Sequence, residues 1–234
     1  MSKRTILTAL MIACIPVGFA ASVHADPNPP NAAGIQVPKG YVLVEEEQWH
    51  KLSDEPDRHF AHARASFLKS DARAAAAELR KAGVHLRVAA AHAAARTKVE
   101  LTQSEHAVEQ LAQRVEAGAV KSVEEMDLVT SRALHSLADY QYVRAAAAWR
   151  HHEERVAGQY LRSAANNLER ATERTSSALR DATAEVARES RVLSSRLIEG
   201  TGFVMDEVGA GFEAFGHQIE RVGKIIAPPQ TGSR

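Results

Sequence analysis

The chain reads as an all-α protein: an elongated helical bundle of two duplicated helical hairpins, each a short helix plus a long hendecad helix, followed by a C-terminal amphipathic helix. Three observations carry that reading. The first is a repeat at an offset of 82 residues. Residues 60–89 set against 142–171 without a gap give nine identities: Ala63/Ala145, Ala65/Ala147, Arg73/Arg155, Ala75/Ala157, Leu79/Leu161, Arg80/Arg162, Ala82/Ala164, Leu86/Leu168 and Ala89/Ala171. Phe60/Tyr142, Phe67/Trp149 and Asp71/Glu153 are conservative pairs in the same frame, and Gly118/Gly200 carries the match to the end of each unit. A fixed long period marks stacked supersecondary units that share a core. The second is composition, with aromatics at 5% and alanine filling the runs 74–77 and 145–148. Alanine has the best helix propensity and lets helices approach closely. The third is spacing: apolar positions recur every eleven residues, as in Leu79-Ala90-Leu101-Ala112. Eleven residues in three turns lies close to the relaxed helix, so such helices pack nearly straight.

Residues 1–25 read as an export signal, with Lys3 and Arg4 at the start, an apolar run over 6–21, and Val23 and Ala25 before the cleavage point. Pro16 and Gly18 interrupt the run, which falls short of the roughly 20 residues a membrane span needs. The run continues past Cys14 through Ile15, Val17 and Phe19, which argues against lipidation there. The mature chain is therefore expected to begin at Asp26, in the periplasm or outside the cell. Cleavage removes the single cysteine, so stability rests on packing alone. Lys3 and Arg4 leave with the signal, so 27 of the 29 basic residues remain against 29 acidic ones. That balance argues against a nucleic-acid partner, which demands a basic face.

Residues 26–40 hold Pro27, Pro29, Pro30 and Pro38 and read as an extended linker. The first helical unit spans 41–121; within it only the short stretch 41–44 looks strand-like. Ser53-Asp54-Glu55-Pro56 is a helix-start signal, and a helix over 56–68 follows. Lys69-Ser70-Asp71 ends it and supplies caps for a long helix over 72–117, which Gly118 stops. The second unit spans 122–200. Ser122-Val123-Glu124-Glu125 fits a capping box, opening a helix over 123–150. The repeat then predicts a turn at 151–153 and a second long helix reaching Gly200. The last segment, 201–227, keeps the apolar phase and adds Gly202, Gly209, Gly216 and Gly223 at heptad spacing. Each glycine costs about 1 kcal/mol of helix stability relative to alanine, so close approach by a partner helix is expected to offset it. Pro228-Pro229 ends the segment, and 228–234 is expected to be a disordered tail.

The chemistry of sites is thin. Ten histidines in the mature chain raise a metal hypothesis, with His59 and His62 at i, i+3 and His151 and His152 adjacent as its candidate ligands. The two clusters do not superpose under the repeat, and Glu47-Gln48-Trp49-His50 is the lone Glu-x-x-His match, ahead of the first helix. Solvated or hydrogen-bonded histidines are the stronger reading, so neither a metal nor another cofactor is expected. Paired carboxylates at 45–47, 124–125 and 206–207 stand at or before helix starts, where they favour the helix dipole. No phosphate loop or nucleophile elbow is present, and the chain is read as non-enzymatic.

The run Phe67-Leu68-Lys69-Ser70-Asp71-Ala72-Arg73 resembles the turn of a tetratricopeptide repeat, where an acidic turn residue precedes a small-residue helix. The likeness covers only the turns, because the unit here exceeds that family's period of about 34 residues, and peptide binding does not carry over.

The functional expectation is an exported helical scaffold or chaperone-like protein acting through protein or envelope contacts. Its interaction residues would be Phe203, Val204, Val208, Phe212, Phe215, Ile219 and Ile226, the apolar stripe of the last segment. Self-association, another envelope protein, or peripheral membrane contact are the candidate partners; a histidine-based bundle binding a metal or small ligand is the alternative.

Overall fold

The computed structural model describes residues 10–11, 41–42 and 55–227. The signal segment apart from Leu10 and Met11, the linker, the Glu47–His50 match and the tail lie outside the described residues. The chain divides into two units, 1–49 and 50–234. In the first, β1 (Leu10–Met11) pairs antiparallel with β2 (Tyr41–Val42), Leu10 opposite Val42.

The second unit is an all-α bundle, as the sequence predicts. Its helices are α1 (Glu55–Leu68), α2 (Ala72–His92), α3 (Ala95–Glu116), α4 (Val123–Arg150), α5 (Glu154–Thr172), α6 (Ser177–Glu199) and α7 (Met205–Ile226). Helix starts recur at the repeat offset: α2 and α5, α3 and α6, α4 and α7 each begin 82 residues apart. The turns recur too. Ser70 and His152 both adopt left-handed φ, of 62° and 57°, and the following amides bond back to Ser66 O and Ala148 O in equivalent bonds. Gly118 and Gly200 are both left-handed, and the amides of Ala119 and Thr201 reach the carbonyls of Arg114 and Arg196.

Caps explain several boundaries. Asp71 accepts from the Ala74 amide at 2.9 Å, whereas Ser70 is used for its turn conformation rather than as a cap. Ser122 accepts from the Glu125 amide at 3.4 Å, as a capping box requires. The reciprocal half differs, because Glu125 pairs with Arg114 on α3. Glu124 instead bonds the helix start, its own amide and the Ser122 hydroxyl holding its carboxyl below the ordinary value.

The two predicted long helices are each divided. The first breaks at Ala93 and Ala94, both in extended conformation, and the second at 173–176. A straight helix over 72–117 would leave its apolar stripe without a partner on the same chain. Folding back sets Leu79 and Leu86 of α2 into one core with Leu101, Val108 and Leu111 of α3. Burial of a leucine is worth about 2 kcal/mol, which outweighs the few helical bonds lost at the break.

Two cores result, and α4 belongs to both. Met126, Ala133, Leu134, Leu137 and Tyr140 join α1, α2 and α3 in the first; Ala138, Ala145 and Ala148 join α5, α6 and α7 in the second. The identities of the repeat lie at the heart of each: Leu79/Leu161, Ala82/Ala164 and Leu86/Leu168 are all fully buried. The fold is thus two four-helix bundles sharing one long helix, with α7 standing in the second where the opening half of α4 stands in the first.

Candidate interaction surface

Most of the residues of the expected interaction stripe pack within the chain's own bundle. Val208, Phe212, Phe215, Ile219 and Ile226 are buried in the second core, together with Val222. Phe203 packs edge-on against Trp149, ring centroids 6.0 Å apart, while Val204 remains 61% exposed. The correction has a simple cause: α7 supplies the fourth helix of a bundle, as its repeat equivalent does. Trp149 correspondingly stacks on Phe212 of α7, centroids 6.4 Å apart.

Of the four glycines of the stripe, Gly216 and Gly223 are explained by what lies across them on α4, whereas nothing stands within 4 Å of a Cβ at Gly209 or at the left-handed Gly202. A Cβ at Gly216 would stand 2.6 Å from the Tyr142 hydroxyl, and one at Gly223 would stand 2.9 Å from the His135 ring. Through those gaps Tyr142 donates to the Phe212 carbonyl at 3.1 Å and His135 Nε2 donates to the Ile219 carbonyl at 2.9 Å. Arg132 continues the series, donating from Nε to the Ile226 carbonyl at 2.6 Å. The bonded carbonyls are spaced by seven, as are the glycines four residues beyond the first two. Leaving out a side chain at i+4 uncovers the carbonyl at i for a donor from the neighbouring helix. Arg132 satisfies a terminal carbonyl that has no intrahelical partner.

Beside this seam Arg96, Asp139, Tyr142, Glu213, Gly216, His217, Ile219 and Glu220 line a cleft of about 240 Å³. Arg96 at the start of α3 donates to Asp139 at 2.8 and 3.1 Å. Burial raises the Asp139 carboxyl above its ordinary value, with Arg96 acting in the opposite sense, and burial followed by Asp139 raises Glu100. Every fixed charge here has a structural partner or faces water; no nucleophile and base come together.

The histidines divide as follows. His59 Nδ1 donates to Glu78 at 2.6 Å, His62 stands 4.0 Å from the same carboxylate, and His85 faces His59 with ring centroids 5.7 Å apart. His151 and His152 form the exposed turn between α4 and α5. Among the described residues no group of three or more His, Cys, Asp or Glu side chains could hold a metal ion.

An open apolar groove of about 330 Å³ lies between α6 and α7. Val186, Leu193, Gly211 and Ala214 line it, and Arg188, Glu189, Arg196 and Glu207 stand at its rim. Gly211 occupies the repeat position of Val129, and Leu193 fills the space beside it, its Cδ2 2.6 Å from where a Cβ would stand. The pair Arg196–Glu207, at 3.5 Å, is the counterpart of Arg114–Glu125 between α3 and α4. Val192, on α6, also lines the groove and is 47% exposed. Sequence reasoning missed this surface. No family model matches the chain, and searches of curated proteins and of solved structures find no match either.

Proposed function

We propose that this protein is an exported, non-enzymatic helical scaffold, or chaperone-like protein, that works through protein contacts made at the α6–α7 groove. The observation that carries the reading is the groove itself, where Val186, Val192, Leu193 and Ala214 stand beside Arg188, Glu189, Arg196 and Glu207 and Val192 is 47% exposed. Apolar surface rimmed by charge is the usual make-up of a protein contact site. Export rests on the signal reading of residues 1–25, and the partner is a second copy or another envelope protein.

A lipid surface suits α7 less well. Its apolar side is spent on the core, and its outer face carries Asp206, Glu207, Glu213 and Glu220 against Arg221 and Lys224, which repels anionic headgroups. Among the described residues no helix is long and apolar enough to cross a membrane.

The test compares the mature chain with Val192→Asp and Ala214→Glu by sedimentation and by site-specific photo-crosslinking from position 189, which also lines the groove, in an envelope fraction. The reading expects a defined crosslinked species, the chain itself or one envelope protein, that both substitutions abolish without changing helicity. A monomeric chain with no crosslink from 189, or a crosslink that both variants retain, would overturn it.

A further inference from the structure

We propose that the α1–α2 seam is an acid-sensitive latch, in which protonation of the His59–His85 pair loosens α1 from α2 while the equivalent seam of the second bundle stays closed. The two seams differ residue by residue. His59, His62, Glu78 and His85 of the first unit fall, at the repeat offset, on Gln141, Arg144, Tyr160 and Asn167 of the second. In the second unit Asn167 donates to Gln141 Oε1 at 2.8 Å, both side chains fully buried, and Arg144 donates to the Tyr160 hydroxyl at 3.2 Å. None of those four groups changes charge between about pH 5 and about pH 8. In the first unit the same positions hold two imidazoles facing each other at 5.7 Å, over a carboxylate that His59 bonds at 2.6 Å.

The surroundings fix the direction of the effect. From α1, Glu55 stands 3.9 Å from His59 Nε2 and is itself paired with Arg58, and His62 is exposed. From α2, Glu78 takes Lys81 as well as His59, and the Lys81 bond holds its carboxyl below the ordinary value. On the other packed helices Asp127 of α4 is engaged by Arg64 and Arg174, and Glu105 of α3 by Arg87. Glu78 holds His59, whereas His85 makes no ion pair among the described residues. Burial, then the neighbouring His59, push the His85 imidazole below its ordinary value of 6.5, with Glu55 of α1 acting in the opposite sense. A depressed value in the closed seam means that its stabilising contribution is present above about pH 6.5 and is lost as pH falls below it. Opening α1 removes both the burial and the second ring, so proton uptake and opening are linked. α1 also buries the fewest residues of the seven described helices, Pro56, Phe60 and Ala63, at one end of the array.

The experiment is hydrogen exchange of the full chain in buffer containing EDTA, from about pH 7.5 to about pH 5, with rates corrected for intrinsic exchange. Protection of α1 should fall on the order of tenfold for each unit by which His85 is depressed, while the second half of α4 holds its protection. The variant His59→Gln/His85→Asn installs the pair the second bundle already uses, and it should remove the pH dependence of α1. Independently of any variant, the His85 resonance of the wild-type chain should titrate below free histidine. Protection of α1 that ignores pH, a pH-dependent loss that survives the double substitution, or a His85 midpoint at or above the free value would each overturn the proposal.

Discussion

Gly209 and Gly216 sit one heptad apart on the same face of α7, yet they answer to different neighbours. At Gly209 no atom lies within 4 Å of where a Cβ would stand, so only helix propensity is at stake. Gly209→Ala should stabilise the protein by about 0.5–1 kcal/mol. At Gly216 a Cβ would press on the Tyr142 hydroxyl and disturb its bond to the Phe212 carbonyl. Overpacking and a weakened hydrogen bond cost about 1–3 kcal/mol against the roughly 1 kcal/mol gained in propensity. Gly216→Ala should therefore lower the urea midpoint while Gly209→Ala raises it, both with unchanged slope. Two alanines moving the midpoint in the same direction would show that α4 does not press on α7 as described. The heptad spacing alone announced a close approach; the identity of the approaching side chains was hidden, because Tyr142 and His135 lie 70 and 84 residues from the carbonyls they bond.

At the level of elements, the turn between α1 and α2 and the turn between α4 and α5 use one backbone geometry with two unlike residues, Ser70 and His152, in left-handed φ. That conformation costs a non-glycine residue about 1–2 kcal/mol, so His152→Gly should raise stability by about 0.5–1 kcal/mol after the added freedom of the unfolded chain is counted. The mirror experiment is Gly200→Ala, where no atom lies within 4 Å of the new Cβ and any loss is pure φ strain. Thermal melts of the two variants should move in opposite senses. The sequence made the starts of α1 and α4 legible, because Pro56 marks the first and the Ser122 hydroxyl caps the second. It hid the break at Ala93 and Ala94, where the local residues are the best helix formers available and tertiary burial overrides them. The eleven-residue series misled for the same reason: Leu79 and Ala90 lie on α2, Leu101 and Ala112 on α3, so the period runs across a reversal of direction. Thr175-Ser176-Ser177 did carry an N-terminal signal for α6, and the repeat registry transfers it to Ala93-Ala94-Ala95.

For the helical unit as a whole, the repeat fixes both where the array ends and how it holds together. α7 stops at Ile226, the counterpart of Arg144, just before the stretch of α4 whose Ala145 and Ala148 enter the second core. The positions that on α4 hold α7, namely Arg132, His135 and Tyr142, become the exposed Ala214, His217 and Lys224 on α7. α4 passes through both cores, and Asp127 on α4 takes Arg64 of α1 at 2.9 Å and Arg174 from the α5–α6 turn at 3.3 Å. Such continuity predicts one cooperative unfolding transition rather than two. Leu86 is fully buried in the first core, and Leu86→Ala should cost about 2–5 kcal/mol. Trp149 reports on the other bundle through its contacts with Phe203 and Phe212, and Trp49→Phe leaves it as the sole tryptophan. In that background, fluorescence and far-ultraviolet circular dichroism should give coincident midpoints, and Leu86→Ala should shift both by the same amount. A Trp149 transition that stayed at its original midpoint while ellipticity fell earlier would mean that the shared helix can fray at its middle and that the two bundles unfold on their own.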